Sequence, residues 1–268
     1  MEINEYKAGT VIKGKDLSGQ MLGKIISPFH SKNKGENMSV PACKFRMETY
    51  FCLIKDICEY LDIGTKFVIV SIPDEEDVFV GEKVFYAENI CMQRVMTLAN
   101  VETWEYFTKH GADITADDNN AIRIAAEYGW FDVVQYLCEH GADVTADNND
   151  ALISAVYHGN FELLEYLHKN GADVSAGNDY AIKRASDIGD IKAVKYLYEN
   201  GADITADYNY PIRRAAMNGN LETVKYLYEN GADITAKNNF ALKWAKENGH
   251  QKTAEYLRKQ MRILGKLE

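Results

Sequence analysis

The sequence predicts a mainly α-helical tandem-repeat solenoid of about six helix pairs, preceded by a small α+β domain. Three observations predict it. Gly-Ala-Asp begins at Gly111, Gly141, Gly171, Gly201 and Gly231, five times at a spacing of 30 residues. A Tyr-Leu pair keeps the same period from Tyr136-Leu137 to Tyr256-Leu257, with Tyr106-Phe107 as a fainter precursor. Small residues fill two further columns, Ala125, Ala155, Ala185, Ala215 and Ala245, then Gly129, Gly159, Gly189, Gly219 and Gly249. A fixed period with drifting residues between the fixed ones marks one supersecondary unit copied in tandem, each copy burying a face against the next.

Residues 1–90 lack the period and form the first domain. Phe51, Ile54, Ile57, Cys58 and Leu61 have the spacing of one helix face, which Asp62-Ile63-Gly64 can end. Phe67–Ile72 reads as a buried strand. After the acidic turn Pro73–Asp77, the segments Val78–Val80 and Lys83–Tyr86 are expected to pair as a hairpin around Gly81-Glu82. His30, Glu48, Cys52, Asp56, Glu59 and the Asp74–Asp77 run are the candidate catalytic groups, but no spacing pairs a nucleophile with a base or gathers metal ligands. Lys13-Gly14-Lys15 and Lys32-Asn33-Lys34-Gly35 lack the layout of a phosphate-cradling loop. The chain is therefore expected to be no enzyme, with no cofactor and no metal.

The array is expected over 91–260: a degenerate copy at 91–120, regular copies over 121–240, a polar cap at 241–260 and a tail at 261–268. Within one copy, Ala121, Ile122, Ala125 and Ala126, then Val133, Val134 and Leu137, recur three and four apart, so each copy is a helix hairpin. Asn119, Asn149, Asp179, Asn209 and Asn239 precede the first helix, where their side chains can accept the unpaired amides of its first turn. Gly129 and Gly111 begin the columns that separate helices and permit positive φ. Pro211 opens a helix, where a missing amide costs little. In the degenerate copy Met92 replaces Ile122, Val95 replaces Ala125 and Cys91 replaces Ala121.

Gly-Ala-Asp-Ile-Thr-Ala, then Ala-Ile-Arg-x-Ala-Ala-x-x-Gly, then Val-Val-x-Tyr-Leu-x-x-x-Gly-Ala-Asp resembles the ankyrin repeat over about residues 91–260. The usual ankyrin period is about 33 residues, so each copy is shortened between Ala116 and Ala121, in the hairpin finger. Asn120-Ala121-Ile122-Arg123 and Tyr210-Pro211-Ile212-Arg213 stand where the family has Thr-Pro-Leu-His. The short form is similar to ankyrin proteins of giant DNA viruses, some of which carry a comparable N-terminal domain. The resemblance implies a protein-interaction scaffold; its alternatives are an adaptor that brings a client to a ubiquitin ligase and a catalytic N-terminal domain targeted by the repeats.

In such arrays a partner meets the finger tips and the exposed first-helix end. This puts the partner-binding candidates at Asp150, Tyr180, Tyr210 and Phe240 in the fingers, and at Tyr128, Tyr157, His158, Ile188 and Met217 on the helices. Large aromatic and sulfur side chains suit interfaces, although some can instead pack against the next finger. The regular Tyr136 column reads as packing between repeats. Arg184, Arg213 and Arg214, with Arg123, Lys183 and Lys243, form a basic ladder at about the interhelical spacing of 10 Å. It either receives an acidic segment or pairs with Asp113, Asp203 and Asp233 of the flanking turns.

The net charge of −10 divides as 12 basic against 14 acidic residues over 1–100 and 18 against 26 over 101–268. That balance points to a protein partner and away from nucleic acid or an anionic membrane, which need a net basic face. Five cysteines without CxxC spacing suggest reduced thiols. Met1–Thr10 has no apolar core of signal-peptide length and Phe67–Ile72 is too short to cross a bilayer. A monomer in the cytoplasm or the nucleus is expected, in the host-cell cytoplasm if the source is viral.

Overall fold

The structure is a computed structural model that describes residues 11–13, 22–26, 49–53, 66–72, 74–75, 77–80, 85–87 and 91–266. The strands are β1 (Val11–Lys13), β2 (Leu22–Ile26), β3 (Thr49–Leu53), β4 (Lys66–Ser71), β5 (Asp77–Val80), β6 (Phe85–Ala87) and β7 (Cys91–Thr97). The helices are α1 (Val101–Lys109), α2 (Ala116–Glu127), α3 (Phe131–Glu139), α4 (Ala146–Tyr157), α5 (Phe161–Lys169) and α6 (Ala176–Ile188). They continue as α7 (Ile191–Glu199), α8 (Ala206–Met217), α9 (Leu221–Glu229), α10 (Ala236–Glu247) and α11 (Gln251–Ile263). Two compact units result, one drawn from the chain up to 125 together with 130–143, the other from 126–129 together with 144 onward.

In the first unit the strands form an antiparallel sheet in the order β1-β5-β6-β3-β2-β4-β7. Strand β4 is its apolar centre, with Phe67, Val68, Ile69 and Val70 all buried. A run of this kind, buried on both faces, has no alternation to keep one side wet. Phe67 meets Phe107 of α1 edge-on at 4.7 Å, and Trp104 donates its indole N–H to the Leu98 carbonyl at 2.7 Å. The expected hairpin is present, with Phe79 opposite Tyr86 and Val80 opposite Phe85; its turn lies outside the described residues.

Two expectations are corrected. Thr49–Leu53 is a strand between β2 and β6, so Phe51 does not start a helix; residues 54–65, the rest of that expected helix, lie outside the described residues. Three- and four-residue apolar spacing over a short run does not exclude a strand, and Thr, Tyr and Phe suit one. Cys91–Thr97 is likewise a strand. It pairs with β4 from Cys91 opposite Ser71 to Thr97 opposite Lys66, with an irregularity beside Val70. The degenerate copy thus supplies α1 as a second helix, while its first helix is replaced by sheet pairing that covers one edge of the apolar β4.

In the second unit the first helices α4, α6, α8 and α10 stack on one another, and each joins a second helix, α5, α7, α9 or α11. Leu152, Ile182, Ile212 and Leu242 of the first set and Leu167, Leu197, Leu227 and Leu257 of the second are buried. Ala155, Ala185, Ala215 and Ala245 are fully buried, which shows why that column is small. The Tyr column couples neighbours: Tyr196 Oη lies 2.8 Å from His168 Nδ1, and Tyr198 meets Tyr226, and Tyr228 Tyr256, edge-on. In the first unit the hydroxyls of Thr108 and Tyr136 share a 2.8 Å hydrogen bond.

The shortened finger is a left-handed turn. Three successive residues have positive φ in every copy: Asp117–Asn119, Asp147–Asn149, Gly177–Asp179, Asp207–Asn209 and Lys237–Asn239. Asx residues tolerate this conformation best after glycine, and they fill most of these places. The expected capping role of the last residue is corrected. Asn119 Oδ1 accepts the amide of Asp143, and Asn149, Asp179 and Asn209 accept those of Asp173, Asp203 and Asp233, at 2.7–2.8 Å. Each side chain reaches the following copy because its own left-handed backbone turns it away from the helix that it precedes. Side-chain caps occur on second helices instead, where Asp190 accepts the amides of Lys192 and Ala193.

The glycines between helices also carry contacts. Gly219 has φ +76°, and a Cβ there would lie 2.4 Å from His250 Nδ1, whereas Gly159, at φ +69°, has open space. Alanine at either place carries a left-handed cost of about 1–2 kcal/mol, so urea unfolding should find Gly219→Ala more destabilising than Gly159→Ala; equal losses would mean that the His250 contact is not tight. Leu197→Ala should cost about 2–5 kcal/mol in the same assay, and a loss below about 1 kcal/mol would contradict its burial in a packed core.

Candidate functional site

The finger and first-helix candidates all belong to the second unit. Tyr128, Tyr157, His158, Tyr180 and Ile188 are exposed. Asp150, Tyr210, Met217 and Phe240 are half-buried. Phe240 lies 5.2 Å from the Trp244 ring of its own helix, and Tyr210 lies beneath the Arg213 guanidinium at 5.4 Å, so these two finger aromatics pack within their own repeat.

Among the described residues, the basic ladder does not pair with Asp113, Asp203 or Asp233. Asp113, Asp203 and Asp233 accept instead from the backbone amide and hydroxyl of Thr115, Thr205 and Thr235 at 2.6–2.9 Å. The Thr115 hydroxyl and then its amide hold the Asp113 carboxyl below the usual carboxylate range. Arg213 is buried, and its Nε and Nη2 donate to the carbonyls of Tyr208 and Asp207. It braces the left-handed turn from inside and presents no free surface. Arg123 donates to Asn120, and Lys243 lies 3.9 Å from Glu247.

Arg184 and Arg214 converge on a residue whose link to them sequence reasoning missed. Asp187 Oδ2 accepts from Arg184 Nη1 at 2.9 Å, and Oδ1 accepts from Arg214 Nε at 2.7 Å and from Asn218 Nδ2 at 2.8 Å. The Asp187 carbonyl accepts from the side-chain amides of Asn218 and Asn220. The carboxylate is 11% exposed, while the two arginines remain 25% and 27% exposed. The Asp187 hydrogen bond raises the pKa of Arg214, against the opposing effect of burial. Arg184 also stacks its guanidinium over the Tyr157 ring at 4.0 Å, and Arg214 Nη1 lies 3.3 Å from Met217 Sδ. One carboxylate thus joins α6 to α8 and fixes two cations beside Tyr157, Ile188 and Met217.

Tyr208 was also missed. It is the most exposed aromatic of the finger, at 68%, and Lys237 Nζ sits 3.7 Å above its ring. Its φ is +55°, at a place where the other copies have Asp118, Asn148, Asn178 and Asn238. A bulky residue in that conformation is unusual, and a comparison of that column would have singled it out. Among the catalytic groups considered, His30, Glu48, Asp56, Glu59 and Glu76 lie outside the described residues. Within the described residues, no three His, Cys, Asp or Glu side chains gather as a metal ion requires, and no helix is long and apolar enough to cross a membrane.

The family model of ankyrin repeats (3 copies) matches residues 92–178 and 180–264, more than half of the chain. Two ankyrin repeat proteins of Acanthamoeba polyphaga mimivirus are 33% and 36% identical over 94 and 91 residues, about 32% of this chain in each case and 34% and 27% of theirs. An uncharacterized protein of the same virus is 29% identical over 89 residues, 32% of this chain and 64% of its own. The chain therefore spans less than two thirds of the length of each of these relatives. With its helix pairs, glycine columns and matched residues, the chain belongs to the ankyrin-repeat family.

Proposed function

We propose that the protein is a non-enzymatic interaction scaffold that holds a protein partner on the fingers and first-helix ends of the second unit. One observation carries this reading. Between residues 126 and 250, the exposed large apolar and aromatic side chains are Tyr128, Tyr157, Tyr180, Ile188 and Tyr208. All stand at a finger or at a first-helix end, and none stands on the second helices α5, α7 and α9. Outside that span, Ile263 of α11 and Leu264 are exposed at the last helix pair; aromatic and apolar residues gathered at the fingers and first-helix ends of the other copies suit a protein interface, and Tyr in particular concentrates binding energy. The acidic balance of residues 101–268 supports a protein partner over a nucleic acid.

Affinity purification with mass spectrometry should compare the full chain with a Tyr128→Ser, Tyr157→Ser, Ile188→Ser variant. Exposed substitutions usually change stability by less than about 0.5 kcal/mol each, so the variant should keep a melting temperature close to that of the parent. The expected result is loss of the proteins retained by the parent. An unchanged set of retained proteins would place the interaction elsewhere and contradict the reading.

A further inference from the structure

We propose that Arg184 and Arg214, fixed by Asp187 and Tyr157, receive one carboxylate side chain, a glutamate or aspartate that lies beside an apolar residue in a partner's segment. This inference rests on the reading of the second unit as a protein-binding surface. Two guanidinium groups share one carboxylate here, which leaves a local surplus of positive charge on a chain whose net charge is −10. Both side chains remain about a quarter exposed, and each guanidinium carries more N–H groups than its bonds to Asp187 and Met217 use.

The cations are also already immobilised. Arg184 is clamped between the Asp187 carboxylate and the Tyr157 ring, and Arg214 between Asp187 and the Met217 sulfur. A partner oxygen would therefore meet donors whose side-chain entropy is already lost, which is the condition for a strong charge-assisted contact. Ile188 at 41% exposure and Tyr157 at 52% lie next to the pair and favour an apolar neighbour beside the acid. The size of the surplus selects the acid. A carboxylate matches one excess positive charge, whereas a phosphate monoester brings about −1.5 to −2 charges, more than that surplus.

A random peptide library displayed against the full chain tests this, followed by Kd measurements on one enriched peptide and its Glu→Gln (or Asp→Asn) counterpart. The enriched peptides should carry an acid beside an apolar or aromatic residue. Neutralising the acid should weaken binding to the parent chain about tenfold or more, but should have little effect on binding to Arg184→Gln. Arg214→Gln serves as a second variant if Arg184→Gln has a reduced melting temperature. Selection without acidic enrichment, no binder at all, or equal losses in parent and variant would overturn the proposal. A phosphoserine counterpart that binds tighter than the acid would overturn it in favour of phosphate. If acidic peptides bind yet ignore both arginines while remaining sensitive to Ile188→Ser, only this inference fails. Insensitivity to Tyr157→Ser and Ile188→Ser as well would remove the interface reading.

Discussion

The repeat depends on a left-handed turn that is tied to the next copy. Three consecutive positive-φ residues close each finger, and the last of them reaches forward to the amide that follows the next Gly-Ala pair, as Asn209 does to Asp233. Left-handed residues cost about 1–2 kcal/mol each for most side chains, and Asx or Gly at most of these places lowers that cost. Local bonds hold the turn as well: the Asn209 amide donates to the Thr205 carbonyl at 2.8 Å, and Arg213 covers the carbonyls of Asp207 and Tyr208. The 30-residue period follows. A tight turn replaces a longer hairpin, and its side chain does across repeats what paired finger strands would otherwise do.

The same logic governs the polar groups between first helices. A buried charge is tolerated where its partners are complete, and removal of one partner leaves the others uncompensated. Asp187 meets this condition with Arg184, Arg214 and Asn218 on its oxygens. Asn220 ties the same turn to the following repeat through the Ser186 and Asp187 carbonyls, and its side chain fills the space that a Cβ on Gly189 would need. Stacking, turn geometry and the candidate surface are therefore linked at one place: the network that joins α6 to α8 also presents two arginines next to the exposed Tyr157 and Ile188.

Much of the fold is legible in the sequence because a period repeats its evidence. Leu197 and its equivalents, Ala185 and its equivalents, and the turn glycines can be placed from spacing alone, and burial and positive φ follow that placement. Where the period stops, the reading weakens. Cys91–Thr97 aligns with a first helix by spacing, but the unpaired edge of β4 outweighs that weak helical pattern and takes it as a strand. Phe51–Leu53 departs from its expected helix for the same reason, since a short apolar run is compatible with either periodicity. Hydrogen bonds across repeats are hidden for another reason. Asn149 and Asp173, or Asp187 and Arg214, are separated by most of a repeat, and sequence shows which columns they occupy without showing which way the side chains turn.

The most direct test of the turn's role is amide hydrogen exchange at Asp233, an exposed residue whose N–H is held by Asn209. Its amide should exchange far more slowly than an exposed, unbonded amide does, and Asn209→Ala should abolish that protection while the amides of Asp173 and Asp203 keep theirs. If the Asp233 amide exchanges as fast as an unbonded one in the parent chain, the finger is not tied to its neighbour in this way, and the short period must have a different physical basis.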